Sequence, residues 1–237
     1  MTAFGTFFHG ALSRMERACL RSFVRHGHSV RLYAYTKMAV PDGVVLCNAE
    51  EILPAHWLYH ADRGQHAGTV AQFSDHFRYA MIRQTGLVWI DTDIICLRPD
   101  WPDRPWLIAR QDACLVNGAV LGVPQHHAML DDALMVAERM HGVTVWGVIG
   151  PHLLTALAWE HGSWQHLLPT NSFYPLHCSR AAQLLRPMAI GEQFTIPRES
   201  LCLHLWNEML RMAGHDRLAD PPANSALARL LDYAEGM

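Results

Sequence analysis

Gly86 is followed by Leu87-Val88-Trp89-Ile90, an uninterrupted apolar run that ends abruptly in Asp91-Thr92-Asp93. A strand with one wet face alternates apolar and polar residues, so a run without alternation belongs to a strand covered on both faces. Such strands are found in α/β folds, where helical crossovers cover a mainly parallel sheet. The opening of the chain has the same grammar. Residues 3–9 read as a strand, and Ser13 and Glu16 have capping-box spacing for a helix to about His26, closed by Gly27. Val30, Leu32 and Ala34 alternate with Arg31, Tyr33 and Tyr35, and a third strand, 44–46, follows the Pro41-Asp42-Gly43 turn. The order β-α-β-turn-β predicts an α/β fold with a mainly parallel central sheet flanked by helices.

The rest of the chain continues the pattern. A second helix is expected over 67–84, with Val70, Phe73, Phe77 and Met81 as its core stripe and Gly86 after it. The apolar runs 114–123 (broken by Asn117-Gly118) and 201–206 predict further strands. Helices are expected at about 127–140, 151–161 with Pro151 at its first turn, and 225–235. No repeat or low-complexity tract appears. Residues 1–237 are read as a single domain on which the last helix packs.

Composition removes several classes. Half of the 237 residues are hydrophobic and 17% are charged, which excludes disorder. A formal charge of −3 speaks against a nucleic-acid partner. No window reaches the ~18–20 consecutive apolar residues of a membrane helix, and Arg14, Glu16 and Arg17 interrupt the start. The six cysteines lie apart with no C-x-x-C pair, so they are read as reduced thiols and the protein as cytoplasmic, without an integral membrane segment. Lys37 is the one lysine among 19 basic residues, so any lysine-dependent mechanism must use it.

Ligands of open α/β sheets bind beyond the carboxyl ends of the strands, where Asp91 and Asp93 fall. Two carboxylates this close repel each other and favour a cation between them. Oxygen ligands point to a hard divalent ion, Mn²⁺ or Mg²⁺, of the kind shared with substrate phosphates. On the preceding helix, Asp75 and Arg78 share a face that the apolar stripe leaves open, where the plain alternative is a surface ion pair. His204 and Trp206, near the C-terminus, add a possible ligand beside an aromatic.

Taken together, Phe73-Ser74-Asp75-His76-Phe77-Arg78-Tyr79, then Gly86, then Trp89-Ile90-Asp91-Thr92-Asp93 resembles the sugar-binding signature of the DXD glycosyltransferases. That family holds yeast α-1,6-mannosyltransferases, globotriaosylceramide synthase and bacterial capsular-polysaccharide transferases, and the large glucosylating toxins are more distant relatives. The resemblance is specific over about residues 70–98 and weaker around Phe8-His9-Gly10 and Asn117-Gly118-Ala119. It implies a nucleotide-sugar-binding fold of the GT-A type and a retaining transfer. The hexose would pass from a nucleoside-diphosphate sugar, most readily a UDP-hexose, to a saccharide or lipid-linked acceptor, with Mn²⁺ or Mg²⁺ as cofactor. It also implies roles: Asp91 on the donor, Asp93 on the metal, Asp75 and Arg78 on hydroxyls of the transferred sugar, and His204 with Trp206 over the diphosphate. Ser74, Tyr79 and Asn117 line the donor in this reading, and Phe8 stands where the family has a base-stacking Trp. Front-face attack needs no carboxylate nucleophile, so none is named. Gly150-Pro151, the helix after it and residues 171–174 are the expected acceptor side.

Two other readings use the same residues. A haloacid-dehalogenase-type phosphohydrolase also ends a strand in Asp-x-Asp but needs a Thr or Val at the place of Ile95 and a later lysine, and no lysine follows Asp93. A protein that kept nucleotide-sugar binding and lost turnover is the non-enzymatic alternative.

Overall fold

A computed structural model of the chain describes residues 1–236 except 63, 65, 144 and 190. Its central sheet has six strands in the order β3-β2-β1-β4-β7-β6. Strands β1 (Ala3–Phe7), β2 (Ser29–Ala34), β3 (Val44–Asn48) and β4 (Val88–Ile90) are parallel, with β1 between β2 and β4. Strand β7 (Val116–Gly122) runs antiparallel to β4, and β6 (Leu107–Arg110) antiparallel to β7. The mainly parallel sheet flanked by helices is thus present, with an antiparallel margin.

The unalternating run at residues 87–90 has the cause inferred for it. Trp89 and Ile90 point to opposite faces and are 1% and 0% exposed. Ile90 joins a core with helices α1 (Arg14–Arg25) and α6 (Ala226–Glu235). Trp89 joins a second core, with α2 (Ala71–Thr85), α3 (Ala128–Arg139) and α4 (Leu153–Glu160). At the head of α1 the capping box is formed: the Ser13 amide donates to Glu16 Oε2 at 2.6 Å, and Ser13 Oγ accepts from the Met15 amide. Gly86 takes a left-handed φ of 70° and closes α2.

Several expectations are corrected. Helix α2 starts at Ala71 rather than Ala67, because Gly68 and Thr69 are tied to Ala61 instead, with Ala61 N–H donating to Thr69 O (2.8 Å) and Gly68 N–H to Ala61 O (2.8 Å). Pro151 lies in a π-type turn, Val148–His152, and α4 begins after it. Asn117-Gly118 does not break β7. The run at 201–206 forms a strand as expected, but in a sheet of its own. Its strand β8 (Cys202–His204) pairs antiparallel with β5 (Ile94–Cys96), which follows the Asp-Thr-Asp turn, and this small second sheet sets His204 opposite Ile94. The cysteines are free thiols. Among the described residues no helix is long and apolar enough to cross a membrane.

Candidate active site

β4 ends at Ile90, and the turn into β5 places Asp91 and Asp93 at the carboxyl edge of the sheet. The β5–β8 pairing then brings His204 to the same point. One ligand atom from each of Asp91, Asp93 and His204 lies within 4.8 Å of the others, the one such grouping of metal-ligating side chains among the described residues. His204 Nε2 is 3.1 Å from Asp93 Oδ2, although 111 positions separate the residues. Two carboxylates and an imidazole suit Mn²⁺ better than Mg²⁺, which prefers oxygen alone. Burial pushes the Asp93 carboxyl up, but His204 and the Asn207 amide, which donates to Asp93 Oδ2 at 2.8 Å, outweigh it and hold the group below its usual range. The Asp93 side chain is therefore an anion fixed in direction before any ligand arrives.

Asp75 and Arg78 are not the surface pair that helix spacing alone allows. Arg78 is buried and its guanidinium joins two carboxylates: Nη1 donates to Asp75 Oδ1 at 2.6 Å and Nη2 to Asp91 Oδ1 at 2.8 Å. It also stands 5.0 Å from the centre of the Trp89 ring. Burial pushes Asp75 up to about 6, with Arg78 opposing and Asp91 adding to the rise. Arg78 Nε is buried with no partner, a donor left over inside the site.

Trp89 and Gly118, given no site role in the sequence, and Gly150, expected on the acceptor side, complete this network. Trp89, read as strand core, donates its indole N–H to Asp91 Oδ1 at 2.6 Å. Gly118 lets β7 pass the guanidinium: a Cβ there would lie 2.5 Å from Arg78 Nη1. Gly150 does the same for Asp75, since its Cβ would come within 2.7 Å of Oδ2. The only signal was glycine inside otherwise apolar segments, which marks close approach as readily as a break.

Other expected donor residues are placed differently. Tyr79 is fully buried and its hydroxyl donates to Ile149 O at 2.6 Å, so it braces the 148–152 turn instead of facing a ligand. The Trp206 indole N–H, expected on a diphosphate, donates to Leu176 O at 2.8 Å. Trp206 is also not extended: its φ of 59° turns the chain out of β8 into α5 (Asn207–Met212) and aims the Asn207 amide at Asp93. Asn117 spends its amide within the sheet edge, giving Nδ2 to Gln111 Oε1 and accepting from the Ala119 amide, both at 2.7 Å. Phe8 carries the Arg217 guanidinium 5.6 Å over its ring, so the face offered for base stacking is shared. Ser74 is half-buried one position before Asp75. On the expected acceptor side Gly150 meets the site, whereas Phe173 and Tyr174 are core.

No family profile matches the chain. Human α-1,4-N-acetylglucosaminyltransferase is 28% identical over 149 residues, which cover 57% of this chain and 42% of that one. Rat lactosylceramide 4-α-galactosyltransferase is 23% identical over 165 residues, 65% of this chain and 46% of the other. The mouse protein of that name is 25% identical over 146 residues, 57% and 40% of the two chains. Among solved structures, the PaToxG glycosyltransferase is similar with a TM-score of 0.46 at 11% identity, over 67% of this chain and 69% of that one. The chain spans less than half the length of these three sequence relatives, and all three are named as glycosyltransferases.

Proposed function

We propose that this chain is a divalent-metal-dependent glycosyltransferase of the DXD type. It would move a hexose from a nucleoside-diphosphate sugar, a UDP-hexose foremost, to a saccharide or lipid-linked acceptor with retention at the anomeric carbon. The observation that carries the reading is the meeting of Asp91, Asp93 and His204 at the carboxyl edge of β4, directly beside the Asp75–Arg78 pair. A bound Mn²⁺ would neutralise the negative charge that builds on the diphosphate as it leaves.

The chain's own residues prepare the rest. Asp93 is held by the Asn207 amide, so its direction is set before a metal binds, and His204 Nε2, 3.1 Å away, is the nitrogen that would turn its lone pair to the ion. Arg78, pinned between Asp75 and Asp91 and backed by Trp89, offers a guanidinium of fixed orientation. Asp75 lies 14% exposed in the same recess, where it can accept from a hydroxyl of the transferred hexose. Attack from the front face, with the leaving phosphate taking the acceptor proton, requires no protein nucleophile.

A melting-temperature screen of UDP- and GDP-sugars with and without Mn²⁺ tests the reading, since a ligand at a hundred times its Kd adds about 2.7 kcal/mol. A rise for at least one nucleotide sugar that needs Mn²⁺ supports it. No rise with any of them removes it.

A further inference from the structure

His66 and Trp146 meet in a face-to-face stack, ring centres 3.8 Å apart and planes 17° from parallel. Each end of this pair is tied to a different wall of the site. His66 Nδ1 is 2.5 Å from Glu208 Oε1, and Glu208 follows Asn207, whose amide holds Asp93. Trp146 precedes Gly147, left-handed at φ 78°, and the turn that presses Gly150 on Asp75 and is braced by Tyr79. The stack thus spans from the Asp93 wall to the Asp75 wall. Trp146 is nevertheless 41% exposed and Val145 60%. With one indole face covered by His66, that exposure falls on the other face and the edges.

A rigid aromatic left partly bare at the rim of a polar recess has a chemical use. The C–H-rich face of a pyranose ring packs on an indole while its hydroxyls stay at the rim, in water or on polar neighbours. The donor already has its partners in this site: the diphosphate at Asp91, Asp93 and His204, the hexose at Asp75 and Arg78. What remains to be received is the second sugar. We infer that Trp146, backed by His66, is the platform on which a saccharide acceptor stacks, an inference that rests on the glycosyl-transfer reading above. His66, anchored by Glu208, keeps the indole from rotating away and is a positioning residue.

The test uses the full chain with 5-fluorotryptophan at its tryptophans, the Trp146 resonance being identified by its loss in Trp146→Phe. The protein is held with UDP and Mn²⁺ and titrated with the methyl α- and β-pyranosides of glucose, galactose, mannose and N-acetylglucosamine, and with lactose. At least one saccharide should move the Trp146 signal saturably, and Trp146→Ala should weaken that saccharide's binding about tenfold or more. Trp146→Phe should keep most of the affinity, and UDP–Mn²⁺ affinity should be unchanged in both variants. A Trp146 signal that no saccharide moves overturns the platform. So does a signal that UDP–Mn²⁺ alone shifts fully, because the indole would then belong to the base. Failure of both UDP–Mn²⁺ and GDP–Mn²⁺ to bind the wild-type protein at all, read by calorimetry, instead sinks the glycosyl-transfer reading, so the two failures are distinct.

Discussion

Arg78 keeps its charge with only 6% of its side chain exposed, a burial that costs several kcal/mol for an unpaired ion and is offset here by two carboxylates and an aromatic face. Such a residue is sensitive to anything that shifts it. In Gly118→Ala the new methyl would sit 2.5 Å from Nη1 and 2.9 Å from Leu154 Cδ1, so the guanidinium must move. A loss of roughly 1–3 kcal/mol in stability is expected, the usual range for overpacking. Donor affinity should fall with it. Chemical denaturation and a donor titration check both, and wild-type donor affinity would contradict the role given to Arg78. Asp75 makes a sharper distinction. On the proposed reading Asp75 accepts from the hexose, so Asp75→Ala should weaken nucleotide-sugar binding by about ten- to a hundredfold while free UDP binds nearly as before. Equal losses for both ligands would mean that Asp75 only holds the fold.

Helix α2 shows how one element serves two ends. Asp75 and Arg78 face the site, and His76 points into packed protein, 1% exposed, with both ring nitrogens unpartnered and the Trp57 ring edge-on at 5.2 Å. Burial, reinforced by His141 nearby, pushes His76 down to about 4 from an ordinary 6.5. The unfolded chain therefore binds the proton first, and stability is lost as pH falls from about 6.5 towards 4. The loss is up to ~3 kcal/mol, since one pKa unit is worth about 1.4 kcal/mol. Denaturant unfolding of metal-free protein across that range should show the slope, and His76→Phe should flatten part of it. A slope identical in the variant would place the effect elsewhere. The apolar stripe of α2 was legible because Phe73, Phe77 and Met81 recur at helical spacing. Burial of the opposite face was not legible, because a polar face turned to a site and one turned to water have the same pattern. Strands β5 and β6 went unread for a different reason: three or four apolar residues carry too little periodicity to be told from a loop. Trp206 misled because a side chain two residues after His204 shares its side only in extended backbone, and φ at Trp206 is 59°.

At the scale of the whole molecule, the site is an edge where four elements arrive. β4 delivers Asp91 and Asp93, α2 delivers Asp75 and Arg78, β8 delivers His204 and α5 the Asn207 amide. The first two were readable as a local signature. The β5–β8 pairing that fetches His204 across 111 positions has no local signal and rests on tertiary structure. The proposed ligands lie on two segments more than a hundred positions apart, so metal binding would report on the assembled fold, because the unfolded chain holds no such site. The proposed function turns on one link, a metal on Asp93 that in turn binds the donor. Calorimetric titration of the nucleotide sugar found by the melting screen, into wild-type protein and Asp93→Asn, each with Mn²⁺ and with EDTA, addresses it directly. The expected result is binding to the wild type with Mn²⁺ only, and none to Asp93→Asn in either condition. Binding of equal strength in EDTA, or an Asp93→Asn variant that binds like the wild type, would contradict it.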